Sequence, residues 1–228
     1  MTAQIIAVAN QKGGCGKSTI SMMLAGTLGR RGHRVMVVDA DAQGTATQYA
    51  ASAPEEQPFP AAVSGLAAAG NKIHREIRKF VEDYDFIVVD CPPAVDAVTP
   101  QSALLVADLA LVPIVPSPAD LWAAVGTRQL IERIAGVNET IRARLLVNMA
   151  QPRTRLAAAV MGQVEQFGIP VLRTRLHSRT AYRQAMALGV LPQDLGPEAK
   201  PAALEAEALA DEVLKALAEA PALEAVHG

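Results

Sequence analysis

Residues Gln4 to Arg31 read QIIAVANQKGGCGKSTISMMLAGTLGRR: an apolar β-prone run, a glycine-rich turn and a helix-patterned stretch in unbroken succession. Strand, glycine turn and helix in that order make a cradle for phosphate. Small residues let backbone N–H groups point at the anion, and the helix N-terminus adds the positive end of its dipole. Lys17 is placed to neutralise the β- and γ-phosphates of a nucleotide, and the Ser18 hydroxyl to hold Mg²⁺. The loop carries a second lysine, Lys12, and Gln11 stands where the strict pattern G-x-x-x-x-G-K-S/T has its first glycine.

The rest of the chain repeats the alternation of apolar run and helical stretch. Strands are predicted at Ile5–Asn10, Val35–Asp39, Phe86–Asp90, Leu109–Val115, Leu145–Asn148 and Val171–Thr174, with a short one near Val190–Leu191. Helices are predicted over Lys17–Arg31, Asn71–Glu82, Thr99–Ala107, Leu121–Ala135, Leu156–Phe167, Thr180–Leu188 and Ala202–Ala218. Most of the strand runs lack strict alternation, as expected where helices cover both faces of a parallel sheet. Right-handed crossovers then generate a doubly wound, mostly parallel α/β sheet flanked by helices. Ala50–Pro60, with three prolines, reads as a surface loop inside a single domain spanning residues 1–228. At 228 residues the chain can bury a substantial core, built from Ala, Val, Leu and Ile because only 4% of it is aromatic.

Two further strand ends carry acids. Val37-Val38-Asp39-Ala40-Asp41-Ala42-Gln43 ends a strand with aspartates two apart, and Phe86-Ile87-Val88-Val89-Asp90 runs four apolar residues into an acid, followed by Cys91-Pro92-Pro93. Strand ends in such sheets deliver side chains to the crevice where ligand binds. The second run has the Walker B form, which assigns Asp90 to Mg²⁺ through water.

Lys12, Gly13, Gly14, Gly16, Lys17 and Ser18 match every fixed position of K-G-G-x-G-K-S/T, so the chain resembles the ParA/MinD superfamily of deviant Walker A ATPases, a branch of the P-loop NTPases. That resemblance implies ATP and Mg²⁺ as cofactors, slow intrinsic hydrolysis to ADP and phosphate, and an ATP-dependent homodimer in which Lys12 reaches the partner's nucleotide. The nucleotide contacts it implies are Lys12, Gly13, Gly14, Cys15, Gly16, Lys17, Ser18 and Thr19. The segment at Asp39 resembles the family's D-x-D-P-Q with Ala42 in place of proline. Asp41 would then position the water attacking the γ-phosphate, and Asp39 would lie near the Mg²⁺ held by Ser18 and Asp90. Cys91-Pro92-Pro93 matches the D-x-P-P turn where a phosphate-sensing switch begins. Relatives contact adenine with an Asn at a strand end, here Asn148, and with a later loop, here Pro192 to Asp194. Asn at a strand terminus is also an ordinary turn former. Cys15 and Cys91, with no C-x-x-C pair, read as small loop residues rather than cluster ligands.

Charge is unevenly distributed. Thr140 to Arg183 holds eight arginines and one acid, whereas Gln184 to Gly228 holds two lysines and eight acids. A surface almost free of acids suits non-specific contact with DNA phosphates, with Arg153, Arg155, Arg173, Arg175, Arg179 and Arg183 as candidates. The alternative is a solvated face. The MinD branch ends in a basic amphipathic helix that lies on membrane. Here the stretch from Leu204 to Leu217 is acidic, with Leu204, Leu209, Val213 and Leu217 spaced to pack on the domain, so anionic lipid would repel it. The expected reading is a cytoplasmic, nucleoid-associated ATPase of the small ParA type that segregates or positions a plasmid, a chromosome region or a protein cargo. A ParB-like or cargo adaptor protein would stimulate hydrolysis, and no membrane is involved. The alternative on the same scaffold is a metal-insertion or small-molecule ligase ATPase.

Overall fold

The computed structural model describes residues 2–93, 98–151, 162, 164 and 167–219. Its strands are β1 (Gln4–Val8), β2 (Val35–Asp39), β3 (Ala62–Gly65), β4 (Phe86–Asp90), β5 (Leu109–Ile114), β6 (Arg142–Ala150) and β7 (Val171–His177). They form one sheet in the order β3-β2-β4-β1-β5-β6-β7, with every pairing parallel. The helices are α1 (Lys17–Arg30), α2 (Thr45–Ala51), α3 (Ile73–Arg78), α4 (Val98–Leu104), α5 (Pro118–Ala135), α6 (Thr180–Leu188) and α7 (Lys200–Ala218). This is the doubly wound sheet that the strand pattern predicts.

Burial explains why the strands read as continuous apolar runs. Ile5 and Ala7 join Met36, Val38, Ile87 and Val89 in a core layer under α3, α4 and α5. Ile6 and Val8 join Val35, Val37, Val88, Leu109 and Leu111 in a second layer under α1 and α7. Successive strand residues point to opposite faces, so a sheet covered on both sides leaves no position free for a polar residue. Each fully buried Ile or Leu contributes about 1.5–3 kcal/mol. α5 starts cleanly because Ser117 caps it, accepting from the Asp120 N–H at 3.2 Å, with Pro118 at its first position. Such a cap is worth about 1 kcal/mol.

Several expectations are corrected. Val190–Leu191 is not a strand. Gly189, at φ 68°, ends α6, and the chain goes on through Leu191 into a 3₁₀ turn at Pro192–Asp194. The edge strand β3 and the helix α2 carry too few apolar residues to register as periodic, and α2 takes Ala50 and Ala51 out of the expected loop. The helix expected over Asn71–Glu82 shortens to α3, preceded by a 3₁₀ segment from Ala67 to Lys72. Leu204 is 60% exposed, while Leu209, Val213 and Leu217 are buried as the spacing requires. Most of the helix expected at Leu156–Phe167 lies outside the described residues.

The basic segment and the acidic tail meet. α7 packs along the edge strand β7 and sets Glu205 and Glu212 seven residues apart on one face, close to two helical turns, with Glu219 just past its end. Glu212 accepts from the Arg173 and Thr174 backbone N–H groups at 3.0 and 2.7 Å, and Glu205 from that of His177 at 3.1 Å. Glu219 pairs with Arg144, and its carbonyl accepts from Arg142 at 2.7 Å. Edge N–H groups that would otherwise template another strand are thereby occupied.

Candidate nucleotide site

The sheet order brings the sequence motifs to one place. In register, Val8 lies beside Asp90, and Asp90 beside Asp39, so β1, β4 and β2 end together at the mouth of the loop. The loop itself is shaped by Gly14 (φ 75°) and Gly16 (φ 88°). Gly16 occupies the N-cap of α1 with no side-chain cap, leaving the helix's first N–H groups free for an anion. A Cβ on Gly16 would also lie 2.3 Å from the side-chain nitrogen of Asn148.

The two lysines point to different surroundings. Lys17 is buried, and its Nζ donates to the Lys12 carbonyl at 2.9 Å, folding back into the loop it serves. Lys12 keeps 39% of its side chain exposed and pairs at 2.8 Å with Asp120 on α5. Burial raises the Cys15 thiol above its ordinary value despite the Lys17 charge beside it, and burial raises Cys91 further. Both stay protonated thiols, as expected of small loop residues.

Asp90 is the buried acid of the site. It is fully buried, with one oxygen accepting from the Ser21 hydroxyl at 3.3 Å and Oδ2 without a hydrogen-bond partner among the described residues. Burial pushes its carboxyl up to about 7; the Ser18 hydroxyl pulls it down and Asp39 adds to the rise. An unpaired buried carboxylate oxygen beside a hydroxyl is what a hard cation with oxygen ligands requires. Ser18 and Asp90 therefore fit Mg²⁺. Asp39 does something further. Its Oδ1 accepts from the Asp41 N–H at 3.2 Å, and its Oδ2 from both the N–H and hydroxyl of Thr47 at 2.9 Å. It spends its lone pairs on shaping the turn that presents Asp41. Asp41 is partly exposed and accepts from the Gln43 N–H at 2.9 Å.

Beyond Gly16 a cavity of about 150 Å³ opens between β6, β7 and α6, lined by Thr19, Asn148, Met149, His177, Tyr182 and Met186 among others. Asn148 uses its amide to hold the Cys15 carbonyl at 2.8 Å. Met149 follows at φ 51°, a strained value for a residue with a side chain. Of this lining, Gly16, Thr19 and Asn148 were legible in the sequence as nucleotide contacts. The methionines and Tyr182 come together because α6 returns over the loop, which no local pattern signals. Pro192 does not join them. Leu191 fills the space beside Gly26, and Gln193 donates to Thr27 at 3.0 Å, about 15 Å along α1 from the loop. The early αL turn at Gly189 carries the chain away.

The arginine candidates divide. Arg173 and Arg175 are exposed two residues apart on β7, and Arg183 is exposed on α6. Arg179 is paired with Glu205, which takes its Nε and a terminal nitrogen at 3.0 and 2.6 Å. Burial raises the Glu205 carboxyl, but hydrogen bonds from Arg179, Tyr182 and His177 outweigh it and hold it below the usual range. Arg153 and Arg155 lie outside the described residues. No helix among the described residues is long and apolar enough to cross a membrane.

Residues 6–192 match the family of CobQ/CobB/MinD/ParA nucleotide binding domains. A maintenance of carboxysome distribution protein A from Halothiobacillus neapolitanus is 36% identical over 92% of this chain and 95% of its own. The chromosome-partitioning ATPase Soj of Thermus thermophilus is 31% identical over 94% of this chain and 97% of its own. Among solved structures, the ATP complex of a Cyanothece McdA variant superposes with a TM-score of 0.77 at 17% identity, covering 94% of this chain and 97% of that one. The cell division ATPase MinD of Pyrococcus furiosus superposes at 0.73 with 24% identity, over 93% and 99%.

Proposed function

This chain belongs to the ParA/MinD family of nucleotide-binding proteins, and we propose that it is an Mg²⁺-dependent ATPase of the ParA type that positions a large cargo in the cell. The observation that carries the reading is the division of labour in one loop. Lys17 is buried where it can meet the phosphates of its own nucleotide, while Lys12 stands at the surface, where a second subunit could meet it.

Ser18 and Asp90 would hold Mg²⁺, which would supply positive charge against the triphosphate. The remaining work falls to the chain. Loop N–H groups and the α1 N-terminus receive the phosphates, and Lys17 exchanges the Lys12 carbonyl for them. Asp41, presented by Asp39, orients the water that attacks the γ-phosphorus. The β–γ bridging bond breaks, leaving ADP and phosphate, and the water's proton passes to solvent. The cavity beside Asn148 and Tyr182 would take the base. Two ATP-loaded subunits would join through Lys12 and bind duplex DNA without sequence preference through Arg173, Arg175 and Arg183, with Arg153, Arg155 and Arg179 as further candidates. An adaptor on the cargo would stimulate hydrolysis and release. The higher identity to a carboxysome distribution protein than to chromosome-partitioning relatives favours a protein assembly as cargo.

The test is light scattering and DNA retention with ATP, ADP and no nucleotide. ATP alone should double the mass and retain duplex of any sequence. A monomer under all three conditions would overturn the dimeric reading, and a turnover requiring a small carboxylate substrate would replace it with a ligase.

A further inference from the structure

The half of the phosphate loop that carries Lys12 is fastened to α5 at three points. The Gln11 N–H donates to the Thr127 hydroxyl at 3.1 Å. The Gln11 side chain packs where only a glycine leaves room, 2.2 Å from the position a Cβ would take on Gly126. The third point is the Lys12 ammonium itself, 2.8 Å from Asp120 Oδ2. Asp120 is the unusual member. Its side chain is 5% exposed, yet its other oxygen, Oδ1, has no hydrogen-bond partner among the described residues. Beside Lys12 it has the Ser117 hydroxyl and a place in the first turn of α5, where the helix dipole favours an anion.

We propose that Asp120 is a positioning residue that holds Lys12 within its own subunit and so sets the threshold for dimerisation. The inference rests on the dimeric reading above. A lysine that leaves to meet a partner's phosphates abandons a buried carboxylate to one hydroxyl, and leaving a buried charge without its partner is costly. The dimer forms when the negative charge of a partner's bound ATP outcompetes Asp120. ADP, lacking the γ-phosphate, offers less charge and leaves Lys12 with Asp120. The pair thus turns the presence of the γ-phosphate into a decision about assembly.

Two variants move the threshold in opposite directions. Asp120→Asn keeps the shape but not the charge, and should lower the protein concentration at half-dimer in ATP by at least about fivefold, a usual coupling between linked equilibria. It should also let ADP support some dimer. Ser117→Ala removes the competing hydroxyl, leaves Lys12 as the main partner of Asp120, and should raise that concentration. Asp120→Glu should restore the wild-type value. A mere loosening of α5 would shift all three the same way. Sedimentation velocity across a protein dilution series in ATP and in ADP reads every case, and Ser117→Ala decides if Asp120→Asn does not fold. A wild-type dimer with ATP and unchanged thresholds in the variants would overturn the latch alone. A wild type that stays monomeric in ATP would overturn the dimeric reading, and the latch with it.

Discussion

Asn148 at the end of β6 donates its side-chain amide to the Cys15 carbonyl at 2.8 Å, tying the phosphate loop to a strand 133 residues further along the chain. The same nitrogen sits where a side chain on Gly16 would go. Gly16→Ala therefore suffers twice, from a φ of 88° and from the clash. We expect it to lose more than about 1 kcal/mol of stability and to weaken nucleotide binding. Adding Asn148→Ala should recover part of the stability, because neighbours are not additive. Thermal melts of the two single variants and the double variant check this; strict additivity would refute the contact.

Lys17→Ala should abolish ATP binding. It removes the loop's buried ammonium and also the brace on the Lys12 carbonyl. Calorimetric titration with ATP should show at least about a tenfold loss, the scale of one charge-assisted hydrogen bond. Retained affinity would remove the loop from the site.

Asp90 gives a pH dependence with a defined sign. Its carboxyl is raised from 3.8 to about 7 in the folded chain, so between those values the native state holds a proton that the unfolded state has lost. Stability contributed by this group is present below the unfolded value and falls as pH rises through the folded one, by on the order of 1 kcal/mol per pH unit. The nucleotide-free protein should melt earlier at pH 8 than at pH 6, and Asp90→Asn should flatten that slope. Glu205 acts in the opposite sense, but only at pH below its ordinary value of 4.5. Mg²⁺ should bind more tightly as pH rises through 7, since it competes with the proton. An unchanged slope in Asp90→Asn would contradict the burial argument.

For DNA, the pairing of Arg179 with Glu205 separates it from its neighbours. Arg173→Glu and Arg175→Glu should weaken retention of any duplex and each reduce the salt slope by about 1. Arg179→Ala should do less to DNA and more to stability, because it leaves Glu205 short of its cation. If Arg179→Ala reduces the salt slope as much as the β7 variants do, Arg179 is free to meet phosphate.

The two lysines, the glycines between them, the paired aspartates and the Walker B aspartate were legible because each motif is short and local. The covering of both sheet faces was legible too, since the strands of such a sheet must be apolar throughout. β3 and α2 were not, because they are too short and too polar to show a period. The basic segment was legible only as charge along the chain, not as a surface. Charge along a chain says nothing about charge across a fold, and α7 lays its glutamates on the strand that carries the arginines.

The sequence by itself determined that a glycine-rich loop joins the first strand to the first helix and which acids stand at the ends of strands, because those features lie within a few positions of one another along the chain. Tertiary structure alone decided what each lysine is doing. Lys12 and Asp120, 108 positions apart in the chain, meet only because β1 and β5 are neighbours in the sheet and α5 follows β5. Long-range pairing of that kind depends on strand order, which no local pattern encodes.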